Sequence, residues 1–548
     1  MRQDITPSRT SPSPRRNRAA VFAGVALTLI LALSACGGGA GGTGGGGANK
    51  AIESLRVAAA FMPTSLDADS TNINDIYTNY QVAAQYMGTL VRIRPDEGSG
   101  ESLTYARDLR PELAESVTPG ADGHTFTLRQ TTSAAGNPLT SEDVKWSVER
   151  MVANESVAML LLSVANVDLK NPVTVKDEKT FTINTTGPST LLLPILENAA
   201  LGILDSVEAK KHATADDPWA REWLKTNVAS YGPYTVDKFD PGNEVTLKGH
   251  TGYWSGAPKI KSVTVRNVPD AAGRAQLLQS GSVDLDMGVP PVEWKALEKN
   301  SGIKTVAMES PSALQIWINT TKAPMSNVQA RRAVATAIDK QDIANGLFPG
   351  VAKAALECTA ATVPVSGFEN AIPATGDREA AKALAAGAGL DKPLRMIYNS
   401  ATNVFSESAA RFVQDQLKQA GIAVELQAFA TQAEYQAAMD KREWDLNLGL
   451  QSLFINHPLY ELKMFLTGKS SLNIPAYDNK AFADLVDKAL AADGAEAESL
   501  TRQACELAIN EDVPMTVLMH SPYTIAVDKN VPGVRSYPYD RISIVDLG

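Results

Sequence analysis

Between Asp377 and Leu450 the chain alternates helical and strand patterns with short connections, and that alternation limits its fold more than any other feature. The Ala-rich stretch DREAAKALAAGAG reads as a helix whose glycines suit its end. LRMIYNS follows as a strand. In FSESAARFVQDQLKQAG, residues Phe405, Ala409, Phe412, Val413, Leu417 and Ala420 recur at helical spacing, and Gly421 suits the position after the helix. IAVELQAF alternates Ile422, Val424, Leu426 and Ala428 with the period of a strand. AEYQAAMDKRE is then another helix and WDLNLGL another strand. Strand, helix, strand, helix, strand in this order predicts parallel pairing with right-handed crossovers, and so an α/β fold.

The earlier half is less regular. HTFTLRQ and NEVTLKG read as strands. TSEDVKWSVERM opens a helix with Thr140 as cap and Asp143 three residues on. DAAGRAQLLQSGSVDLDM reads as a helix stopped by Gly281 and followed by a strand, and MSNVQARRAVATAID as a helix capped by Ser326.

The N-terminus has a different logic. Arg9, Arg15, Arg16 and Arg18 form a positive end before an apolar or small run, Ala19 to Ala35, which is the pattern of an export signal over 1–35. Leu33-Ser34-Ala35-Cys36 resembles a bacterial lipobox, with Cys36 as the residue that receives the lipid. Two acyl chains on such a cysteine give stable anchoring where one is marginal. The glycine tract that follows, to about residue 49, is read as a flexible tether. Gly42, Gly44 and Gly47 match a dinucleotide-binding glycine pattern, but that motif needs a strand before it, and here an export signal stands there.

About 500 residues remain, enough for two or three domain-sized units. Residues 1–35 hold five Arg against one Asp, a net of +4, so a chain of −10 leaves a body near −14. That acidity argues against nucleic acid as a partner. Outside the cytoplasm, Cys358 and Cys505 are free either to pair or to remain two buried thiols. The five histidines, 124, 212, 250, 457 and 520, show no metal-ligand spacing, so no metal or cofactor is expected. No nucleophile elbow and no zincin helix occurs. Asp284 and Asp286 alternate on one strand, and a strand near a domain junction accounts for them more simply than a carboxylate pair. No catalytic residue is assigned and an enzyme is not expected.

The ordered segments FMPTSLDADS, DLRPELAESVTPGADGHTFTLR, NPLTSEDVKWSVER, YGPYTVDKFDPGNEVTLKGHTGYW, LLQSGSVDLDM, NVQARRAVATAIDKQDIANGLFPGVA and EDVPMTVLMHSPY together resemble the family 5 extracytoplasmic solute-binding proteins of ABC importers. The resemblance runs from Leu55 to the C-terminus. It implies a two-lobed clamshell of the type II periplasmic-binding-protein class, with an extra subdomain in lobe one. Carried over, lobe one is 50–311 with a subdomain at about 85–205, lobe two is 312–512, and 513–548 returns to lobe one. Chain crossings fall near Glu309–Ala313 and Glu511–Met515, close to Pro311 and Pro514.

Open α/β sheets bind ligands beyond the carboxyl ends of their strands. For WDLNLGL that points to Gln451 through Pro458, including Phe454, Asn456 and His457. Peptide-binding relatives carry a W-x-x-D pattern here, the aspartate holding the peptide's amino group. Register against Pro458 puts Gln451 at the tryptophan position and Phe454 at the aspartate position, and His457 replaces an aspartate before the proline. A buried ammonium without a carboxylate is costly, so an apolar, capped or uncharged group fits Phe454 better. The resemblance alone nominates Pro63, Thr64, Ser65, Leu66, Tyr231, Tyr234, Trp317, Asn319, Asn399 and His520 for the cleft.

The expectation is thus a monomeric, lipid-anchored receptor outside the cytoplasm that closes on a small, peptide-like solute. It delivers the solute to ABC permease and ATPase subunits, since the chain carries no Walker A motif. A non-transport sensor lipoprotein and an extracellular hydrolase are the alternatives, and an oligosaccharide or metal chelate is the alternative ligand.

Overall fold

A computed structural model describes residues 52–69, 81–94, 109–400, 405–452, 455–468, 472–535, 537 and 542–547. The export signal, Cys36, the glycine tether and Phe454 lie outside them.

Two large mixed sheets carry the molecule. The first has seven strands, in spatial order Ile303–Met308, Tyr523–Asp528, Leu285–Met287, Ser54–Ala59, Ser262–Asn267, Glu244–Gly249 and Tyr234–Asp240. Ser54–Ala59 sits centrally and pairs in parallel with both its neighbours. Between this strand and Tyr234–Asp240 the chain builds a smaller unit. It has a four-stranded antiparallel sheet, Ala114–Thr118, Gly123–Leu128, Thr180–Asn184 and Val173–Val175, with the helices Ser141–Ala153 and Val157–Val164. The first of these helices starts where expected: the Asp143 carboxylate accepts the Thr140 N–H at 2.8 Å.

The second sheet has six strands, in spatial order Lys353–Ala354, Met515–His520, Ala313–Ile318, Leu446–Gln451, Leu394–Asn399 and Val424–Phe429. Its last three are parallel, as the alternating pattern predicts. The connecting helix Ser406–Gln419 ends at Gly421, whose φ of 81° is left-handed. One face of this sheet is largely apolar. Leu314, Ile316, Ile318, Met396, Leu446 and Leu448 pack on Val334, Ile343, Ala409, Val413 and Leu417 of the covering helices. Each such side chain contributes about 1.5–3 kcal/mol on burial. The opposite face packs Trp317, Met515 and Val517 against Leu459, Leu462, Phe465, Phe482 and Cys505 of the helices between Pro458 and Cys505.

Two expectations change. The helix Val328–Ala337 is capped by Asn327, not Ser326: the Asn327 side chain takes the Gln329 N–H at 3.0 Å, while Ser326 donates its N–H to Lys322. The second chain crossing is also displaced. Residues 513–520 belong to lobe two, because Met515–His520 pairs antiparallel with Ala313–Ile318 and buries Leu518 and Met519 in the lobe-two core. The return to lobe one is at Ser521-Pro522, not at Glu511–Met515. There the Ser521 N–H donates to the Ser312 carbonyl at 2.9 Å, which ties the two crossings side by side.

Candidate functional site

The register of the two sheets locates a cleft. In lobe one, Met308 pairs with Tyr523, and Met287 is aligned with both Ile525 and Ala59. The crossing end of that sheet is therefore also the carboxyl end of Ser54–Ala59 and of Leu285–Met287. In lobe two, Ala313 is aligned with Gln451 on one side and with His520 on the other. The carboxyl ends of Leu446–Gln451 and Met515–His520 thus meet the same crossings. The two sheets direct their ligand-bearing ends at each other across the hinge.

The lobe-one wall begins in the loop after Ala59. Phe61 is 71% exposed, the most exposed aromatic side chain among the large hydrophobics of the described residues. Thr64 is exposed and Ser65 half-buried, with the Ser65 hydroxyl accepting the Asp67 N–H at 3.1 Å. Leu66 is buried and its carbonyl accepts the Tyr86 hydroxyl at 2.7 Å, which fastens the loop to its own lobe. Farther along, buried Arg150 bridges Asp67 and Asp69, and burial pushes the Asp69 carboxyl up to about 7 against the pull of Arg150. This network joins the loop to the added subdomain.

The lobe-two sheet face under the helices between Pro458 and Cys505 is more polar than its strand sequence suggests. Gln315 is 1% and Gln451 9% exposed, on the face away from the Leu314/Ile316/Ile318 core. Gln315 Nε2 donates to Gln451 Oε1 at 2.5 Å. Gln315 Oε1 and Gln451 Nε2 then find no partner among the described residues. Each such atom costs about 1–3 kcal/mol in the free protein. Trp317 packs directly on Gly449: a Cβ there would stand 2.5 Å from Trp317 Cζ3. Across the hinge-end strands, His520 Nε2 and Glu357 Oε2 are 2.6 Å apart, and His520 Nδ1 has no partner among the described residues. Burial alone would raise the Glu357 carboxyl. The His520 hydrogen bond and charge, with the backbone N–H groups of 356 and 357, bring it down to about 2.

Glu357 is held by a firmly tethered loop. Ala355 donates its N–H to Leu518 O, and Lys340 Nζ donates to Ala355 O at 3.1 Å. Glu461 accepts the Ala360 N–H at 2.9 Å. A disulfide joins Cys358 to Cys505 with Cα atoms 5.7 Å apart.

Other nominated residues have structural employment. Tyr231 and Tyr234 are buried in the lobe-one core, their hydroxyls donating to Pro138 O and Ile260 O, so they are not cleft residues. Asn319 lies at the strand end remote from the hinge, where its amide donates to the carbonyls of Arg442 and Trp444. Asn399 ends its strand at the cleft side and donates to Gln432 Oε1 at 2.8 Å. His457 is the N-cap of Pro458–Leu466: its Nδ1 accepts the Leu459 N–H at 3.2 Å, and burial pushes the imidazole down to about 4. Asn456 beside it is half-buried, with Oδ1 unpartnered among the described residues. Asp284 and Asp286 are no carboxylate pair, since Arg56 holds the first and buried Arg274 the second. Among the described residues no group of three or more His, Cys, Asp or Glu is placed to hold a metal ion.

Sequence reasoning missed Phe61, Gln315 and Glu357. Gln315 had a readable signal, as the one polar residue in ALQIWI. Glu357 had none, because its partner lies 163 residues away.

Known proteins share this architecture. A structure of the periplasmic binding protein DppA from Helicobacter pylori, in complex with the peptide STSA, superposes with a TM-score of 0.74 at 22% identity, covering 91% of this chain and 98% of that one. AgaA from A. tumefaciens, in complex with agropinic acid, gives 0.72 at 24%, covering 90% and 99%. In sequence, the probable D,D-dipeptide-binding periplasmic protein DdpA of Escherichia coli is 26% identical over 499 residues, covering 88% of this chain and 91% of its own length. The glutathione-binding protein GsiB of Shigella flexneri is 25% identical over 459 residues, covering 80% and 86%. The profile of the bacterial extracellular solute-binding proteins, family 5, matches residues 108–473, more than half of the chain. With that match, and with two lobes aiming their strand ends at one cleft, the chain belongs to the family 5 extracellular solute-binding proteins.

Proposed function

We propose that this protein is the lipid-tethered receptor of an ABC importer, closing its lobes on a peptide-like solute and handing that solute to a membrane permease. The observation that carries the reading is the pair of adjacent crossings, joined by one backbone hydrogen bond between Ser521 and Ser312, with both sheets presenting their ligand-bearing ends to the cleft beside them. Closure then follows from a solute that binds the closed state more tightly than the open one. The relatives named for dipeptides, glutathione and a bound tetrapeptide favour a peptide-like ligand. The Leu33–Cys36 lipobox and glycine tether would keep the receptor near its permease.

Native mass spectrometry of protein purified without refolding tests the solute, and X-ray scattering with and without it tests closure. A bound species of peptide mass and a smaller radius of gyration are expected. Scattering unchanged by every di- to pentapeptide tried, with no copurifying solute, would refute the reading. Membrane fractionation of cells expressing Cys36→Ser tests the anchor: the variant is expected in the soluble fraction.

A further inference from the structure

We infer that Phe61 and Met287 form an apolar subsite on the lobe-one wall of the cleft, which takes an uncharged, apolar side chain of the solute. The inference rests on the receptor reading above and adds the side-chain chemistry that lobe one selects. A single exposed apolar side chain is ordinary on a protein surface. Phe61 differs in its place and its surroundings. It stands two residues beyond Ala59, at the carboxyl end of Ser54–Ala59, and is 71% exposed. Met287 ends the adjacent parallel strand, is aligned with Ala59 and is half-buried. Both strands point these ends at the crossings, since Met287 is also aligned with Ile525, two residues from the pairing of Tyr523 with Met308.

Phe61 and Met287 also line one cavity of about 20 Å³, together with Val57, Ala59, Leu285 and Ile544. The apolar surface that a solute meets at Phe61 is thus continuous with the lobe-one interior. No charged residue among the described residues lines that cavity. Of its two glutamines, Gln85 spends its amide on the backbone of Gln81, Ile542 and Ile544, and Gln81 donates to the Tyr523 hydroxyl at 3.3 Å. The first carboxylate after Phe61 in the chain, Asp67, is held by Arg150. These surroundings select chemically. An ammonium or carboxylate placed here would lose its water and find no opposite charge. An alkyl or aromatic group gives up little and removes the exposed ring of Phe61 from water as the lobes close.

The test uses the full mature chain with three probes: trialanine, trileucine and trilysine. Affinities are read by calorimetry for wild type, Phe61→Ser and Phe61→Asp. Because Phe61 is exposed, both variants are expected to keep the urea midpoint of wild type. Trileucine is expected to bind wild type about tenfold more tightly than trialanine does. Phe61→Ser should weaken trileucine by about tenfold and change trialanine by less than about twofold. Phe61→Asp should weaken trileucine and strengthen trilysine, a reversal that damage to the loop would not produce. Trileucine affinities within about twofold of wild type in both variants would overturn the inference and leave the receptor reading intact. A wild-type chain that prefers trilysine or trialanine would do the same. A chain that binds none of the three overturns the inference, and overturns the receptor reading as well if no solute copurifies and scattering stays unchanged.

Discussion

The two faces of the six-stranded sheet obey different rules. On one, Leu314, Ile316, Ile318, Leu446 and Leu448 meet helices through apolar contacts alone. On the other, Gln315, Trp317, Asn447 and Gln451 occupy alternating positions of the same two strands, and each retains a polar atom without a partner among the described residues. Period-two alternation places them there. A strand in which every residue is buried has two interiors; helices cover both here, and one of the two carries buried polar atoms without partners among the described residues. Such unsatisfied polar atoms are a standing cost.

The sharpest break of this comparison is covalent. The polar face and its covering helices are joined by Cys358–Cys505, which closes a loop of 147 residues. In the chain-entropy account that is worth about 5 kcal/mol. Replacing both cysteines by serine should lower the unfolding free energy by up to that amount in urea titrations. An unchanged midpoint would mean that the bond does not form. Next is Ile316→Ala, which empties part of the apolar face and should cost about 4 kcal/mol in the same measurement.

A smaller effect depends on pH. Burial raises the Glu461 carboxyl from 4.5 to about 7, partly offset by the Ala360 N–H. Between those values the native state binds more protons than the unfolded chain, so stability falls as pH rises through the window. Glu461→Gln keeps an acceptor for Ala360 and removes the charge. It should stabilise the protein at pH 8 by up to about 3 kcal/mol and leave stability at pH 4.5 nearly unchanged. Equal effects at both pH values would contradict the buried-carboxyl account. Gly449→Ala forces a Cβ against Trp317 and should cost about 2 kcal/mol. Smallest is Gln451→Met without solute, expected within about 1 kcal/mol of wild type, because the lost Gln315 bond is offset by removal of an unsatisfied donor. Set beside Ile316→Ala, that near-neutrality would separate the polar face from the apolar one.

How much could be read without coordinates differs by element. The run from Arg378 to Gln451 was legible because each helix and strand there carries its own period, caps and stops, such as Asp377 before one helix and Gly421 after another. The cleft was legible only in part. Gln451 and His520 stand at the hinge-end row that the strand-end rule and the resemblance indicated. Tyr231 and Tyr234 did not follow: a tyrosine suits a cleft and a core equally well, and here backbone carbonyls in the core take both hydroxyls.

By itself the sequence determined the local grammar: which segments are strands, about where helices begin, and which positions on a strand are apolar. Those properties depend on residues a few positions apart. Only the tertiary structure decided that Cys358 meets Cys505, that Glu357 meets His520, that Gln315 meets Gln451, and that the last crossing waits until Ser521. Each of these depends on which segments lie side by side across more than a hundred residues. Periodicity states that a face will be covered and is silent on what covers it.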